Sequence, residues 1–361
     1  MIKYQPVAML LMICGIASSQ TLGADELQAK VKQGGSGQDA LFLTATNTPS
    51  NFLAVVNART KEIDYVATGG AGGASGNAGG VAVQGKLAAV VNFGSSNVTI
   101  FVRHGNSMQA TQAIKITSQP VSVAFGHGHL VVLGQTTAES FPVYGTTVGP
   151  NDGIVPLLRG DKTAGQITTY DGGAAYTEES GDIGLLSLST PGASGLSGTS
   201  TPVSLPAAPN NDTPFGIVGQ GANLYVAIAH SNLQALVVNG QIISTSGGPT
   251  PFKNSSGGLL HAPCWNALSG HFLYSADSPG KQLLRYLVSD NNVFFDKAAV
   301  AQLTGSPTDL AVADNLLGVI DGGDGTNFSN ISLFDIDSEG ELTLRSTMRI
   351  PSRINGAAII Q

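Results

Sequence analysis

A short apolar run recurs seven times along the chain at nearly constant spacing. The runs begin at Leu41, Leu87, Leu130, Ala174, Leu224, Phe272 and Leu316. Successive starts are 46, 43, 44, 50, 48 and 44 residues apart. A period in the forties, with room for about four strands per unit, is typical of the blades of a β-propeller. The sequence therefore predicts an all-β fold, a seven-bladed β-propeller.

The two ends of the chain indicate how the ring closes. The first unit starts at its second strand, LFLTA, with no innermost strand before it. The last residues, INGAAIIQ, form an innermost strand with nothing after it. We expect this C-terminal strand to complete blade 1, because closure removes exposed sheet edges. Residues 40–361 then form one propeller, with no second domain.

Two Gly- and Ser-rich stretches interrupt the repeats. We interpret GGAGGASGNAGG (69–80) and STPGASGLSGTSTP (189–202) as flexible loops at blade edges. The chain has 47 glycines and only 11% charged residues, which suits many short strands joined by tight turns. The net charge is −7 and Lys and Arg form no basic stripe, so we expect no nucleic-acid partner.

The N-terminus has the pattern of a secretory signal peptide. One Lys precedes a short apolar run from Val7 to Ala17, and small polar residues follow it. We expect cleavage after Ala24, with Ser19 and an uncleaved anchor as alternatives, and a lead-in over residues 25–39. The run is too short to span a bilayer, and no other segment could cross one. The sequence thus predicts a secreted or periplasmic monomer, with Cys264 as its only remaining cysteine and no internal disulfide.

Several phrases resemble the seven-bladed lactonase-like propellers, the YVTN, 6-phosphogluconolactonase and 3-carboxymuconate cyclase-like group. They are TPFGIVGQGANLYVA, APCWNALSGHFLYSAD, SPTDLAVADNLLGVID and AGQITTYDGGAAYTEES. The resemblance covers residues 40–361 and implies lactonase or cycloisomerase chemistry. Where the phosphogluconolactonase branch usually carries Pro-Arg-His, this chain has Pro263-Cys264-Trp265. Without that Arg and His, a sugar-phosphate lactone is a poor substrate candidate.

Polar residues follow the second strands of most units. The fifth residues after the seven starts are Thr46, Asn92, Gln135, Glu179, Ala229, Asp277 and Asp321, and His230 comes next after Ala229. At a channel mouth these groups could coordinate Ca²⁺, or polarise a lactone or ester with a Glu as general base. The alternative is that they only satisfy turn amides. We expect no other metal or cofactor.

The catalytic hypothesis assigns roles to four residues. Glu178 or Glu179 is the general base, and His230 and Arg353 polarise the substrate or hold its anionic group. Arg353 and Asp309 could also form an anion-capturing pair near the axis, or a structural ion pair.

Three further histidines are candidates. His261 could be the base of a Cys264 nucleophile, with a buried and inert Cys264 as the alternative reading. His127 and His129 lie on one turn, where they could bind a metal if a third ligand were present.

Two functions fit these observations. The first is an exported enzyme acting on a small lactone or carboxylate at the channel mouth. The second is a non-catalytic propeller that binds a glycan, a polymer or a protein through its loops. The resemblance favours the first, whereas the missing Arg-His pair and the few charged residues favour the second.

Overall fold

The fold is a ring of antiparallel sheets in the computed structural model, which describes residues 39–190, 195–205, 213–322 and 328–361. Within these ranges there are seven sheets, six with four strands and that of blade 3 with five. The predicted seven-bladed β-propeller is confirmed. The predicted signal peptide (1–24) and residues 25–38 of the lead-in lie outside the described residues.

Each blade runs from an innermost strand at the axis to an outermost strand at the periphery. The strands of blades 1 and 2 are β1 (Leu41–Ala45), β2 (Phe52–Asn57), β3 (Ile63–Ala67), β4 (Val81–Gln84), β5 (Leu87–Asn92), β6 (Asn97–His104) and β7 (Ser107–Lys115). Those of blades 3 and 4 are β8 (Pro120–Gly126), β9 (His129–Gly134), β10 (Thr137–Tyr144), β11 (Thr147–Val148), β12 (Gly153–Pro156), β13 (Ala164–Tyr170), β14 (Gly173–Glu178), β15 (Asp182–Leu188) and β16 (Leu196–Val203).

The remaining blades continue this order. The strands of blades 5 and 6 are β17 (Pro214–Gln220), β18 (Asn223–Ile228), β19 (Leu233–Val238), β20 (Gln241–Gly247), β21 (Pro263–Ser269), β22 (Phe272–Asp277), β23 (Gln282–Ser289) and β24 (Asn292–Gln302). Blade 7 and the C-terminus contribute β25 (Pro307–Ala313), β26 (Leu316–Asp321), β27 (Ser329–Ile336), β28 (Leu342–Ile350) and β29 (Asn355–Ile360). In the described part of the chain, two short 3₁₀ turns follow second strands, Phe93–Ser95 and Ala229–Ser231.

The second strands are apolar because both of their faces are buried. In β1, Leu41 and Leu43 pack toward blade 2, whereas Phe42 packs toward blade 7. Side chains alternate between the two faces of a strand, so a strand between two neighbouring blades needs apolar residues at every position. Seven buried clusters lie between consecutive blades of the described chain.

The C-terminal strand closes the ring as predicted. β29 pairs antiparallel with β1, with Leu41 opposite Ile360, and it packs against the innermost strands of blades 2 and 7. Arg103, near the end of β6 in blade 2, stabilises the pairing of β1 with β29, and we call its hydrogen bonds there the carbonyl clasp. Its guanidinium donates to the carbonyl oxygens of Ile360 at 3.0 Å, Gly105 at 2.7 Å and Asp39. Arg103 therefore binds both ends of the propeller, and only 2% of its surface is exposed.

The loop interpretation of residues 189–202 is wrong in part. Residues 191–194 lie outside the described ranges, but Leu196–Val203 forms β16, the outermost strand of blade 4. Leu196 and Val203 are buried and the residues between them are mostly exposed. An outermost strand needs few apolar residues, so its composition resembles that of a loop.

Candidate functional site

The second strands all end on the face where the innermost strands begin. Antiparallel pairing places Glu178 opposite Ala164, Asp277 opposite Pro263 and Asp321 opposite Pro307. We call this face, around the axis, the mouth. This register is compatible with the prediction that polar strand ends share one rim. The hydrogen bonds and burial of each residue then determine which chemical role it can have.

Residues 77–79 contact the innermost strands of several blades and therefore lie close to the axis of the ring. Trp265 Nε1 donates to the carbonyl of Asn77 at 3.2 Å, and the amide of Ala78 donates to the carbonyl of Gly165 at 3.2 Å. The carbonyl of Gly79 accepts from the amide of Val123 at 2.9 Å. These contacts reach blades 3, 4 and 6, and we call residues 72–80 the plug. The interpretation of 69–80 as a flexible edge loop is therefore wrong.

The plug fits because the free edges of the innermost strands offer backbone groups that need partners. An unpaired backbone N–H or C=O inside a protein costs free energy, and the plug supplies hydrogen bonds to several of them. Gly79 has a φ of +64°, and a Cβ there would lie 2.9 Å from Ser122 Oγ. Only glycine combines that backbone conformation with that close approach.

Asp309 holds the plug from blade 7. Its carboxylate accepts from the amide of Gly79 at 3.0 Å and from the amide of Leu310 at 2.8 Å. Only 4% of the residue is exposed, and no ion pair reaches it within the described residues. Burial raises the pKa of Asp309 to about 7, although backbone N–H groups oppose this shift. The proposed pairing of Asp309 with Arg353 is not among its hydrogen bonds.

Glu178 and Glu179 are neighbours with different environments. Glu178 is fully buried, and its carboxylate accepts from the amides of Arg159 at 3.1 Å and Gly160 at 2.8 Å. It thereby fixes the loop that enters blade 4. Glu179 is half-buried, and no hydrogen bond or ion pair reaches its carboxyl within the described residues. Burial, with a smaller contribution from Asp161, raises the pKa of Glu179 to about 8.

His261 and Asp277 form a pair at the mouth in blade 6. His261 Nδ1 lies 2.7 Å from Asp277 Oδ2, and a carboxylate can only accept, so Nδ1 donates. Asp277 also accepts from the amide of Ala262 at 2.9 Å and from Gln282 Nε2 at 2.8 Å. The His261 side chain is 21% exposed, and no hydrogen bond reaches its Nε2 in the described part of the chain. This Nε2 can act as a proton acceptor.

The other predicted site residues occupy varied positions. His230 Nδ1 contacts Thr213 Oγ1 on the loop that enters blade 5. Asp321 is buried and accepts from Asn330 Nδ2 at 2.9 Å. Arg353 is half-buried, two residues before β29 begins.

Asn92 links blades 1 and 2, because its Oδ1 accepts from Asn51 Nδ2 at 2.9 Å and from Thr68 Oγ1 at 2.7 Å. Asn92 is fully buried and donates to Asn97 Oδ1 at 2.7 Å and Thr99 Oγ1 at 2.8 Å. Gln135 is half-buried, and its amide donates to the carbonyl of Gln119 at 3.0 Å.

His127 and His129 lie at the turn between β8 and β9, on the face opposite the mouth. His129 is buried, with Nε2 2.8 Å from Asp152 Oδ2 and Nδ1 3.1 Å from the carbonyl of His127. Each ring nitrogen of His129 thus faces an oxygen that accepts hydrogen bonds. Ser140 donates to the same carboxylate and accepts from Leu196 in blade 4. This buried network therefore joins blades 3 and 4.

Among the described residues, no group of three or more His, Cys, Asp or Glu side chains is arranged to hold a metal ion. Over the same residues, no helix has the length and hydropathy needed to cross a bilayer. Cys264 is fully buried, with a free thiol.

Sequence reasoning missed the plug. The Gly-rich composition of this segment is also typical of a loop. The one signal of packing was the pair Asn77-Ala78, whose side chains can form a hydrogen bond and an apolar contact. It also missed Asp152 as the partner of His129, because that residue lies 23 positions away on a broken outer strand.

The protein has the fold of a lactonase-like seven-bladed β-propeller. Structures similar to it include a protein from Lactobacillus plantarum at a TM-score of 0.66 and 14% identity, covering 90% of this chain and 100% of that one. A putative 6-phosphogluconolactonase from Bacteroides fragilis has a TM-score of 0.63 and 14% identity, with coverages of 91% and 100%. The periplasmic gluconolactonase PpgL of Pseudomonas aeruginosa has a TM-score of 0.65 and 12% identity, with coverages of 89% and 99%.

No protein-family model matches the chain. No curated protein matches it either. At such identities the similar structures establish the fold, and the reaction has to be argued from the site.

Proposed function

We propose that the protein hydrolyses a small lactone at the mouth, with His261 as general base and Glu179 as general acid. The observation that carries this proposal is the His261–Asp277 pair, whose outer nitrogen Nε2 is open at the mouth. Asp277 fixes the tautomer and stabilises the imidazolium that forms when Nε2 accepts a proton. The lactonase names among the similar structures support the same reaction class.

The proposed reaction uses water as the nucleophile. His261 Nε2 takes a proton from water as the oxygen attacks the lactone carbonyl. Collapse of the tetrahedral intermediate breaks the ring C–O bond, and Glu179 protonates the departing alkoxide oxygen. A carboxyl with a pKa of about 8 is mostly protonated at neutral pH, which suits an acid better than a base. We therefore assign Glu179 this role and leave Glu178, with both oxygens engaged, to hold its loop.

His230 and Arg353 complete the proposed site. In this proposal Arg353 holds a carboxylate of the substrate, and His230, with Nδ1 against Thr213 Oγ1 and a buried Nε2, forms part of the wall. β18, which ends directly before the turn that carries His230, packs against β21, which follows His261. Ala229 and Ala262, the neighbours of the two histidines, also belong to one buried cluster. Both histidines thus lie in the same sector of the mouth.

Replacing either proposed catalytic residue should slow hydrolysis without unfolding the protein. For Glu179→Gln and His261→Asn we expect kcat on glucono-1,5-lactone or γ-butyrolactone to fall about 100-fold. Because the acid form of Glu179 is needed, activity of the parent should decline as pH rises through about 8. Initial rates from pH 6 to pH 10, with and without EDTA, measure both effects and test a calcium requirement.

Two control variants separate chemistry from structure. Glu178→Gln should lower the free energy of unfolding by about 1–3 kcal/mol, because its amide group cannot accept from both loop amides. Glu179→Gln should not lower it. His104→Asn, at the exposed end of β6 in blade 2, should leave kcat unchanged. Unaltered kcat in both mouth variants contradicts the assignment, and saturable glycan binding by a protein without turnover would instead favour the binding propeller.

We further propose that the protein is exported. The charged, apolar and small-residue segments of residues 1–24 support this, as does the single cysteine left after their removal. Intact-mass analysis of the protein from the extracytoplasmic fraction should give a chain that begins at Asp25. A full-length mass in the cytoplasmic fraction would contradict export.

A further inference from the structure

The plug has one buried side and one exposed side. Asn77 and Ala78 are buried against the innermost strands, whereas Gly73 and Ser75 are exposed. The plug lies directly before β4, at the mouth end of that strand, and its contacts lie within the first four residues of β8, β13, β21 and β25. Its exposed part lies beside the blade 1 loop, where the amides of Gly73 and Ala74 donate to Asn47 Oδ1 at 2.7 and 2.9 Å, and its buried part packs on the innermost strands.

Asp309 stands out among the groups that hold the plug. Carrying a carboxylate into the interior without a cation is costly, and such a group persists when it is hydrogen-bonded. Here the plug amide of Gly79 is one of its donors. The carbonyl of the same residue accepts from Val123 of blade 3. Gly79 is thus hydrogen-bonded to two blades. Its N–H donates to Asp309 of blade 7, and its C=O accepts from Val123 of blade 3.

We propose that the plug is the floor of the substrate-binding mouth and that Asp309 is a positioning residue that holds this floor through Gly79. The proposal rests on the proposed function only where it speaks of substrate. A closed floor leaves the mouth accessible from one face and limits how far a substrate can descend along the axis. The height of the floor then helps to set substrate size.

Thiol labelling tests the floor without a substrate. In the full chain with Cys14→Ser, the remaining native cysteine, Cys264, is fully buried. N-ethylmaleimide should modify Ser75→Cys at least about tenfold faster than Ala78→Cys, since Ala78 is 1% exposed. Adding Asp309→Ala to Ala78→Cys should raise its labelling rate about tenfold, because the Gly79 amide loses a charged acceptor.

The conservative variant and an exposed reference complete this test. Asp309→Asn keeps an acceptor oxygen for Gly79, so the labelling of Ala78→Cys should stay near the parent rate. Lys86→Cys, on an exposed turn of the opposite face, gives the rate of an unhindered thiol. The proposal is overturned if Asp309→Ala leaves the Ala78→Cys rate unchanged, if Asp309→Asn raises it equally, or if Ser75→Cys is as protected as Ala78→Cys. Circular dichroism confirms that each variant is folded before its rate is compared.

A kinetic readout distinguishes this proposal from the proposed function. With glucono-1,5-lactone, Asp309→Ala should raise KM about tenfold and change kcat less than about threefold, because floor height affects binding more than chemistry. An unchanged KM, or a fall in kcat alone, contradicts a positioning role. If the parent does not hydrolyse the lactone, the proposed function fails, while the labelling rates still decide whether Asp309 holds the plug.

Discussion

Replacing Arg103 by methionine should lower the free energy of unfolding by roughly 3 kcal/mol. Methionine keeps the apolar stem but donates no hydrogen bond, so the carbonyl oxygens of Asp39, Gly105 and Ile360 lose their buried donor. Two of those carbonyls belong to the ends of the propeller, and the variant therefore weakens the joint that closes the ring. Urea denaturation followed by tryptophan fluorescence measures the change, since Trp265 is the only tryptophan.

Arg59 provides the matched control for this prediction. It also binds Asp39, with Nε 2.7 Å from the carboxylate, but its side chain is 70% exposed. An exposed ion pair contributes little, because water and salt screen it and the side chain loses freedom. Arg59→Met should therefore be much less destabilising than Arg103→Met. Equal losses in the two variants would show that the carbonyl clasp has no special role in closure.

Stability should depend on pH through Asp309 more than through any single surface carboxylate. Its pKa is raised from 3.8 to about 7 in the folded protein, because burial disfavours the charged form. The contribution of protonated Asp309 to the free energy of unfolding is fully present below pH 4 and is lost as pH rises to about 7. Each tenfold change in a proton dissociation constant is worth about 1.4 kcal/mol, so this loss amounts to as much as about 4 kcal/mol.

The variant Asp309→Asn isolates that contribution. Asparagine keeps a hydrogen-bond acceptor for Gly79 and does not titrate, so its free energy of unfolding, minus that of the parent, should increase between pH 4 and pH 8. Urea denaturation at intervals across this range gives the difference. Asp290→Asn, on an exposed turn of blade 6, reports the effect of removing one charge from the chain. A parent and an Asp309→Asn variant with parallel pH profiles would contradict the assigned shift.

Much of the fold could be predicted because each blade is encoded by short apolar runs and turn residues that lie close together in the sequence. The seven predicted starts fall within one residue of the observed second strands, from β1 at Leu41 to β26 at Leu316. A strand buried on both faces needs a continuous apolar run, and tight turns need Gly or Asn, so each blade carries its own signals. The closing pair of β1 with β29 followed from counting strands at the two ends.

The candidate site could be predicted only in part. The sequence placed Glu179 and Asp277 among the second-strand ends at one rim and His261 beside the start of the innermost strand of blade 6. The register pairs the ends of β14 and β22 with the starts of β13 and β21. The sequence could not separate Glu178 from Glu179, because adjacent residues on a strand differ in direction and only the loop amides of Arg159 and Gly160 show which carboxylate is engaged. It also treated His261 and Asp277 as independent candidates, although they are partners.

The sequence alone determined the number of blades, the position of the second strands and the way the ring closes, because these depend on residues near one another or at the chain ends. Only the tertiary structure decided the course of residues 72–80, the burial of Asp309 and the clasp made by Arg103. Each of these depends on contacts between residues far apart in the chain. Asp309 and Gly79 are separated by 230 residues, and Arg103 and Ile360 by 257. No local pattern reports such contacts, because their free energy arises only when the ring brings the groups together.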